Sequence, residues 1–333
     1  MHGNIQKGVR FGAALALALV LCATAALAAE TGGKRLVPVG HTVGVKLFSR
    51  GIVVVKLPEG STPARTCGLK TGDVIEACGG RTVTSTEQFQ SLLQENGTDT
   101  TELSVKRQGS PVTLSVEPER NEEGACCIGA WVRDSMAGIG TVTYYDPDTN
   151  TFGALGHGIT DGDTAALMPF GNGAILPSTV KAVKKGSCGS AGELRGEFDL
   201  TEELGQLYAN TGCGIFGTLN AACSLAEGEA LPVGDALEGP AVIRSNISGD
   251  EVQEYAVEIL KTIPDAPDGR ELVISVTDSE LIAATGGIVQ GMSGSPILQN
   301  GQLVGAVTHV LLSDPTKGYG ISVETMLNTG AMT

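Results

Sequence analysis

Apolar and polar positions alternate in short blocks along most of the chain, from residue 125 to the C-terminus. Segments such as IGAWVRDS, EYAVEILKTI and ELVISVTD contain many β-branched residues and are bounded by Gly, Asp, Asn or Pro. Many short strands separated by turn residues are typical of an antiparallel barrel or a pair of barrels. TYYDPDTNTFGAL and ILQNGQLVGAV predict hairpins that turn at Asp146-Pro147 and at Asn300-Gly301. The pattern therefore predicts a mainly β fold with a barrel domain over residues 125–333.

Residues 42–118 show a different pattern, in which strands alternate with helical segments. Ser85 is placed to cap a helix that begins at Thr86, and Phe89, Leu92 and Leu93 fall on one face of that helix. Gln108-Gly109 predicts a further hairpin. These features predict a small α/β domain. A charged bridge over 119–124 joins it to the barrel region.

Residues 1–30 have the pattern of an export signal. Lys7 and Arg10 precede an apolar run from Phe11 to Ala29, and small residues at Ala26 and Ala28 suit a cleavage site. The run is also long enough to span a membrane, so a cleaved signal and a retained anchor both stay open. We expect an exported protein that associates with a membrane through this segment, followed by a polar linker over 31–41.

Charge and cysteine content exclude some classes of function. The formal net charge of −15 argues against a nucleic-acid partner, because phosphate binding needs clustered Lys and Arg. Seven cysteines follow the signal, but none forms a Cys-x-x-Cys pair with a matching His partner. We therefore predict no metal and no cofactor, and the sequence assigns no disulfide pairing.

A glycine-rich stretch near the C-terminus, GIVQGMSGSPI, carries the candidate chemistry. Within it, Gly291 to Pro296 have the form Gly-x-Ser-Gly-x-Pro, which puts Ser293 at the tip of a tight turn. The backbone N–H groups of Gly291 and Ser293 can converge there on one point, as an oxyanion hole requires. An ordinary glycine turn has a similar composition, so the interpretation depends on a general base elsewhere in the chain.

Four histidines are available as that base. His2 lies in the signal and His41 in the linker, so both are poor candidates. His157 lies between two glycines at the end of an apolar strand, where its side chain can be held and still reach solvent. His309 alternates with apolar residues within a strand, and we expect a core histidine there. The order His157 then Ser293, with strands between them, is that of a chymotrypsin-like double barrel.

An acid that orients His157 should lie between it and Ser293. Asp278 stands at the end of an apolar strand, and Asp161 follows His157 closely in sequence. Asp278 is equally suited to cap a short helix beginning at Ser279. The residues alone leave the choice between the two acids open.

The α/β domain resembles a PDZ domain of the type found in exported bacterial proteases. The specific part of the resemblance is A-x-x-x-G-L-K-x-G-D-V-I, which reads ARTCGLKTGDVI here. The resemblance implies that a loop of Val43, Gly44, Val45, Lys46 and Leu47, with the strand after it, accepts an extended peptide by β-augmentation. A domain that only orients its neighbour is the alternative.

Two long motifs, VRDSMAGIGTVTYYDPDTNTFGALGHGITD and GGIVQGMSGSPILQNGQLVGAVTHVLLSDPTKGYGI, together with the upstream PDZ-like domain, resemble the stage IV sporulation protein B (SpoIVB) peptidase family. The resemblance runs from about residue 42 to the end and implies a chymotrypsin-like serine endopeptidase. It implies His157, Asp278 and Ser293 as the catalytic residues, and it alone separates Asp278 from Asp161.

The same resemblance implies a biological setting. Such peptidases are exported into the space between the forespore and mother-cell membranes. There they cleave a membrane-associated regulator of an intramembrane protease, which leads to activation of a late sigma factor. The resemblance also implies self-cleavage near residues 30–42.

Two other functions stay open. A scaffold with a PDZ domain and a degenerate barrel would bind peptides without cutting them. A thiol-dependent hydrolase would need a nucleophile such as Cys188 in KGSCGSAG.

Overall fold

The computed structural model describes residues 33–220 and 223–332, and the predicted signal or anchor at 1–30 lies outside them. Antiparallel strands make up most of the described chain, which confirms the predicted mainly β fold. No helix within the described residues is long and apolar enough to cross a membrane.

The elements fall into three groups along the chain. The N-terminal part contains β1 (Arg35–Pro38), β2 (Thr42–Lys56), α1 (Pro63–Thr66), β3 (Val74–Cys78), β4 (Arg81–Thr82), α2 (Thr86–Asn96), β5 (Thr101–Arg107), β6 (Ser110–Val116), β7 (Glu119–Arg120) and β8 (Cys126–Cys127). The middle part contains β9 (Trp131–Asp146), β10 (Thr151–Ala154), β11 (Phe170–Lys184), β12 (Glu193–Phe198), β13 (Gly205–Thr211), β14 (Gly214–Leu219), a 3₁₀ turn (Ser224–Ala226) and β15 (Leu231–Pro232). The C-terminal part contains β16 (Gly239–Ser245), β17 (Gln253–Thr262), β18 (Leu272–Val276), α3 (Ser279–Thr285), β19 (Pro296–Gln299), β20 (Gln302–Val310), β21 (Lys317–Ser322) and α4 (Val323–Ala331).

The first barrel closes because the N-terminal half of β2 pairs with two strands at once. Residues 42–48 pair antiparallel with residues 135–141 of β9 on one side, and β11 pairs on the other. The ring continues from β9 through β10, β14 and β13 back to β11. Val43, Phe152 and Ile215 are fully buried in its core, where the apolar side chains of the alternating strands collect.

The second barrel is a closed ring of β16, β17, β18, β21, β20 and β19. In β17, Tyr255, Val257 and Ile259 are buried while the residues between them are exposed, as period-two alternation predicts. Asn300 and Gly301 have φ angles of 53° and 74°, which suits the two-residue turn between β19 and β20. The predicted hairpin at this position is confirmed.

The PDZ unit continues from the C-terminal half of β2. β3, β5 and β6 extend the sheet beyond that half of β2. The Ser85 hydroxyl accepts the N–H of Gln88 at 3.1 Å and caps α2, as predicted. The buried face of α2 packs against the sheet with Phe89, Leu92 and Leu93. β2 therefore belongs to two structural units of one continuous sheet, because its N-terminal half pairs with β11 in the first barrel and its C-terminal half pairs with β3 in the PDZ unit.

The linker predicted over residues 31–41 is wrong for Arg35–Pro38. These residues form β1 and pair with β9 and β15. Leu36 is fully buried, because two neighbouring strands offer hydrogen bonds and an apolar surface to a segment that would otherwise expose its side chains. Part of the bridge predicted over 119–124 is also a strand, since β7 pairs with β8.

Phe152→Ala is expected to lower the free energy of unfolding by about 3–5 kcal/mol, because it empties a fully buried site in the first barrel. Urea denaturation followed by circular dichroism measures this. Leu200→Ala is the control, because Leu200 is 70% exposed and its loss should change the free energy by less than about 0.5 kcal/mol. Equal effects of the two substitutions would contradict this account of the core.

Candidate active site

The structure brings His157 and Ser293 to one cavity of about 1290 Å³. His157 follows β10 in the first barrel, and Ser293 precedes β19 in the second. Ile139 and Leu194 contribute apolar lining, while Arg270 lines it with a charged group. Residues far apart in sequence therefore meet in one cleft, as the chymotrypsin-like order of the two predicts.

The turn around Ser293 depends on two glycines with left-handed backbone. Gly291 has φ +99° and Gly294 has φ +96°, a region that favours glycine. A Cβ at position 294 would collide with the carbonyl oxygen of Thr141 and lie 2.6 Å from the amide nitrogen of Leu155. Gly294 is therefore required both by its backbone angle and by the approach of the first barrel.

Two N–H groups in this turn are available to a ligand. The N–H groups of Met292, Gly294 and Ser295 donate to backbone carbonyls at 2.7–3.1 Å. Within the part of the chain that the structure describes, those of Gly291 and Ser293 have no acceptor. They are the two donors predicted to form the oxyanion hole, and unpaired donors beside a hydroxyl group are what such a hole requires.

The hydroxyl of Ser293 does not bond to His157 in this structure. Its Oγ donates to the carbonyl oxygen of Thr308 at 2.8 Å. Ser293 is half-buried at the cavity surface, so rotation about one side-chain torsion is enough to aim the hydroxyl elsewhere. In this structure the Ser293 hydroxyl is therefore bound to strand β20 and not to His157.

His157 is held by the backbone next to it. Its Nδ1 lies 2.9 Å from the carbonyl oxygen of Gly158. Because a carbonyl only accepts, this contact places the proton on Nδ1 and leaves the lone pair on Nε2. Burial lowers the pKa of His157, and the hydrogen bond to Gly158 opposes that shift only in part. The ring is therefore neutral at neutral pH and can accept a proton.

His309 is a cavity-lining neighbour of His157 that the sequence pattern misses. We expected a core histidine, but His309 is half-buried and lines the cavity, and its ring centroid lies 5.0 Å from that of His157. Its Nδ1 is buried and has no hydrogen-bond partner among the described residues. Burial, then the neighbouring His157 and Arg270, lower its pKa to about 4. β20 is buried on both faces from Leu303 to Thr308, and Thr308, His309 and Val310 at its end all line the cavity, which alternation within one strand does not reveal.

Asp278 lies outside the residues that line the cavity. Its carboxylate accepts the N–H groups of Glu280 and Leu281, each at 2.9 Å, and so caps α3. It also accepts the N–H of Ala256 at 3.3 Å. The N-cap alternative is therefore what the structure contains, and the catalytic role implied by the family resemblance stays a prediction.

Asp161, the competing acid, is buried and belongs to a loop network. It pairs with Arg133 and accepts the N–H of Thr164 at 2.8 Å. Burial would raise its pKa, but the hydrogen bonds from Thr164 and the charge of Arg133 lower it overall. These partners hold Asp161 as a carboxylate that stabilises the loop after His157.

The five residues predicted to form the PDZ peptide loop lie inside a barrel strand. Val43, Gly44, Val45, Lys46 and Leu47 belong to β2 and pair with β9 on one side and β11 on the other. A strand that is paired along both edges offers no row of N–H and C=O groups to a further strand. The prediction that these residues accept a peptide by β-augmentation is therefore wrong.

The chain itself supplies the strand beside β2 in the PDZ unit. Residues 131–133 of β9 pair with Val53, Val54 and Lys56 of β2. The next residue, Asp134, accepts the N–H of Thr86 at 2.8 Å at the beginning of α2. The edge at which a peptide would add to this part of β2 is thus occupied by β9.

The cysteine that the sequence offered as an alternative nucleophile lies away from the cavity that contains Ser293. Cys188 is exposed and outside the cavity lining, and its Sγ donates to the carbonyl oxygen of Ser313 at 3.3 Å. All seven cysteines in the described ranges are free thiols. No group of three or more His, Cys, Asp or Glu side chains in those ranges is placed to hold a metal ion.

Two family models match the chain. That of SpoIVB peptidase S55 matches residues 124–327, and that of the PDZ domain matches residues 37–117. Among curated proteins, "Serine protease HTRA1" of Xenopus tropicalis is 35% identical over 74 residues, which are 22% of this chain and 15% of that protein. The chain therefore matches only a small part of the length of this relative.

Solved structures show weaker likeness. The PDZ domain of an SdrC-like protein from Listeria monocytogenes is 20% identical with a TM-score of 0.23, and the match covers 25% of this chain and 87% of that one. The active form of the Rv3671c protease from M. tuberculosis is 16% identical with a TM-score of 0.31, covering 60% of this chain and 74% of that one.

A serine at the tip of a glycine turn, two N–H groups of that turn without acceptors among the described residues, a histidine in the same cleft and a PDZ unit together are features of a serine peptidase. The chain belongs to the SpoIVB peptidase S55 family, whose model matches more than half of it. The family predicted from the two long motifs is thereby confirmed.

The rate at which a fluorophosphonate labels Ser293 is expected to rise with pH through a midpoint below 6.5 and to level off near neutrality. The base must be neutral to accept a proton, and burial lowers the pKa of His157 below its ordinary 6.5. Labelling rates measured across pH report the midpoint, with Ser293→Ala as the blank at each pH. A midpoint above 6.5 would contradict the burial-driven shift.

Proposed function

We propose that this protein is an exported serine endopeptidase of sporulation signalling. It cleaves a membrane-associated regulator of an intramembrane protease, and also itself, in the space between the forespore and mother-cell membranes. Family membership supports the peptidase activity, and the basic residues and apolar run at 1–30 support export and membrane association. The observation that carries the proposal is that the N–H groups of Gly291 and Ser293 have no acceptor among the described residues, in the turn whose Ser293 shares a cavity with His157.

The proposed reaction begins when the Ser293 hydroxyl leaves the carbonyl oxygen of Thr308 and turns toward His157. Its oxygen attacks the carbonyl carbon of the scissile peptide bond while its proton passes to Nε2 of the ring. Collapse of the tetrahedral intermediate breaks the C–N bond, and the same proton goes to the leaving amine. Water then releases the acyl group by the reverse sequence, with His157 again acting as base.

The N–H groups of Gly291 and Ser293 would bind the oxyanion that forms in each half of the reaction. Each such donor is worth about 3–4 kcal/mol of transition-state stabilisation in a site that excludes water. The Gly158 carbonyl keeps the proton on Nδ1 and so holds the tautomer that the reaction needs. The further role of Asp278, as a partner of the protonated ring, is a prediction from the family.

Self-cleavage is proposed on the N-terminal side of Arg35. The family implies cleavage within 30–42, but β1 occupies residues 35–38, and Leu36 and Val37 are buried between paired strands. A peptide bond must be extended and accessible to enter a protease cleft, and a buried, paired strand is neither. Of the described residues on the N-terminal side of β1, Gly33 is exposed and belongs to no strand.

Ser293→Ala is expected to abolish fluorophosphonate labelling and self-cleavage while the protein still folds. N-terminal sequencing of the exported wild-type and variant chains reports signal removal, the cleavage position and its dependence on the serine together. Ser295→Ala is the matched control, because Ser295 lies in the same turn but is fully buried, with its Oγ 3.2 Å from that of Ser245. We expect this variant to retain labelling.

The alternative, a non-catalytic PDZ scaffold, predicts the opposite result. A wild-type protein that takes up no probe would favour it and would contradict the peptidase proposal. The occupied edge of β2 in the PDZ unit gives that alternative no support, since a peptide would first have to displace residues 131–133.

A further inference from the structure

Thr141 of β9 contacts both loops that carry the candidate catalytic groups. It is fully buried. Its N–H donates to the carbonyl oxygen of Ser293 at 2.9 Å, and its hydroxyl donates to the carbonyl oxygen of Gly291 at 2.8 Å. Its own carbonyl oxygen accepts the N–H of Leu155, two residues before His157, at 3.1 Å. All the polar groups of one residue are thus used to join the serine turn to the histidine turn.

These bonds constrain the backbone on both sides of the Ser293 N–H. The carbonyls of Gly291 and Ser293 are held by Thr141, so the orientation of the peptide groups between them is restricted. The N–H groups of Gly291 and Ser293 are left without acceptors in the described chain, as the oxyanion hole requires. Gly291 needs such support more than most residues, because glycine has the widest choice of backbone angles.

We propose that Thr141 is a positioning residue for catalysis, which holds the oxyanion-binding turn in its working conformation and in register with the turn that carries His157. This inference rests on the proposed peptidase function. Thr141 touches neither the hydroxyl of Ser293 nor the ring of His157 through any hydrogen bond, so it acts only through the backbone of the two turns. A preorganised hole is worth most when its donors are already aimed before the substrate arrives.

The same strand offers a matched control. Thr143 lies two residues further along β9, is also fully buried, and its Oγ1 has no hydrogen-bond partner among the described residues. Thr143→Val therefore makes the same chemical change at the same depth without removing a bond to the serine turn. A difference between Thr141→Val and Thr143→Val isolates the hydroxyl bond to Gly291 from general packing.

The test measures the rate of fluorophosphonate labelling against probe concentration on the full-length protein. For Thr141→Val we expect a fall of about tenfold or more in the maximal labelling rate, with the half-saturating probe concentration changed by less than about twofold, since the loss concerns the transition state. Thr141→Ser keeps the hydroxyl and is expected to stay within about threefold of the wild type. Thr143→Val is expected to label at the wild-type rate.

Thermal unfolding of each variant separates positioning from stability. If Thr141→Val does not fold, Thr141→Ala is used in its place. The Thr141→Ala and Thr141→Ser variants differ only by the side-chain hydroxyl group, so comparing them isolates its effect. Labelling of Thr141→Val at the wild-type maximal rate would overturn the inference, as would equal slowing in Thr143→Val. A wild-type protein that is not labelled at all would instead overturn the proposed function on which the inference depends.

Discussion

The antiparallel pairing of β2 with β9 is the interaction on which the active site depends. It closes the first barrel, because it joins the two ends of the strand ring. It also sets Thr141 opposite Thr42, at the point where β9 passes the serine turn of the second barrel. The two loops that carry His157 and Ser293 therefore take their relative position from a strand that contains neither residue.

The length of β9 gives this pairing a second consequence. The first residues of the strand complete the sheet of the PDZ unit beside β2, and Asp134 binds the beginning of α2. Arg133, next to it, forms an ion pair with Asp161 in the loop after His157. One continuous strand thus contacts the PDZ helix, the histidine loop and the serine turn, which makes the PDZ unit part of the peptidase framework.

Burial favours the neutral form of the two histidines in the cleft. It lowers the pKa of both His157 and His309, and the closeness of the two rings lowers that of His309 further. Two imidazoles whose centroids are 5.0 Å apart cannot both be charged without mutual repulsion. Among the described residues, the only hydrogen bond of the His157 ring goes to the carbonyl oxygen of Gly158, and not to a carboxylate.

Local sequence patterns predicted the helix caps and turns, which depend on a few neighbouring residues. The Ser85 cap of α2, the turn at Asn300-Gly301 and the tight glycine turn around Ser293 all follow from rules that act over a few positions. The same kind of rule could not place His309, because alternation shows which residues share a side of β20 but not where that side opens onto the cavity. The resemblance to PDZ domains assigned Val43 to Leu47 to a peptide-binding loop, because the motif that carries the resemblance follows these residues and says nothing about which strands pair with them.

The sequence by itself determined the mainly β fold, the glycine turn around Ser293 and the family, and it predicted that His157 would lie in the same cleft, since these reside in composition, short motifs and chain order. Only the tertiary structure decided that β2 is shared between the PDZ unit and the first barrel, that Asp278 caps α3, and that Thr141 joins the two catalytic turns. Pairing between strands that are distant along the chain depends on the summed packing and hydrogen bonding of the whole barrel, and no local segment contains that information.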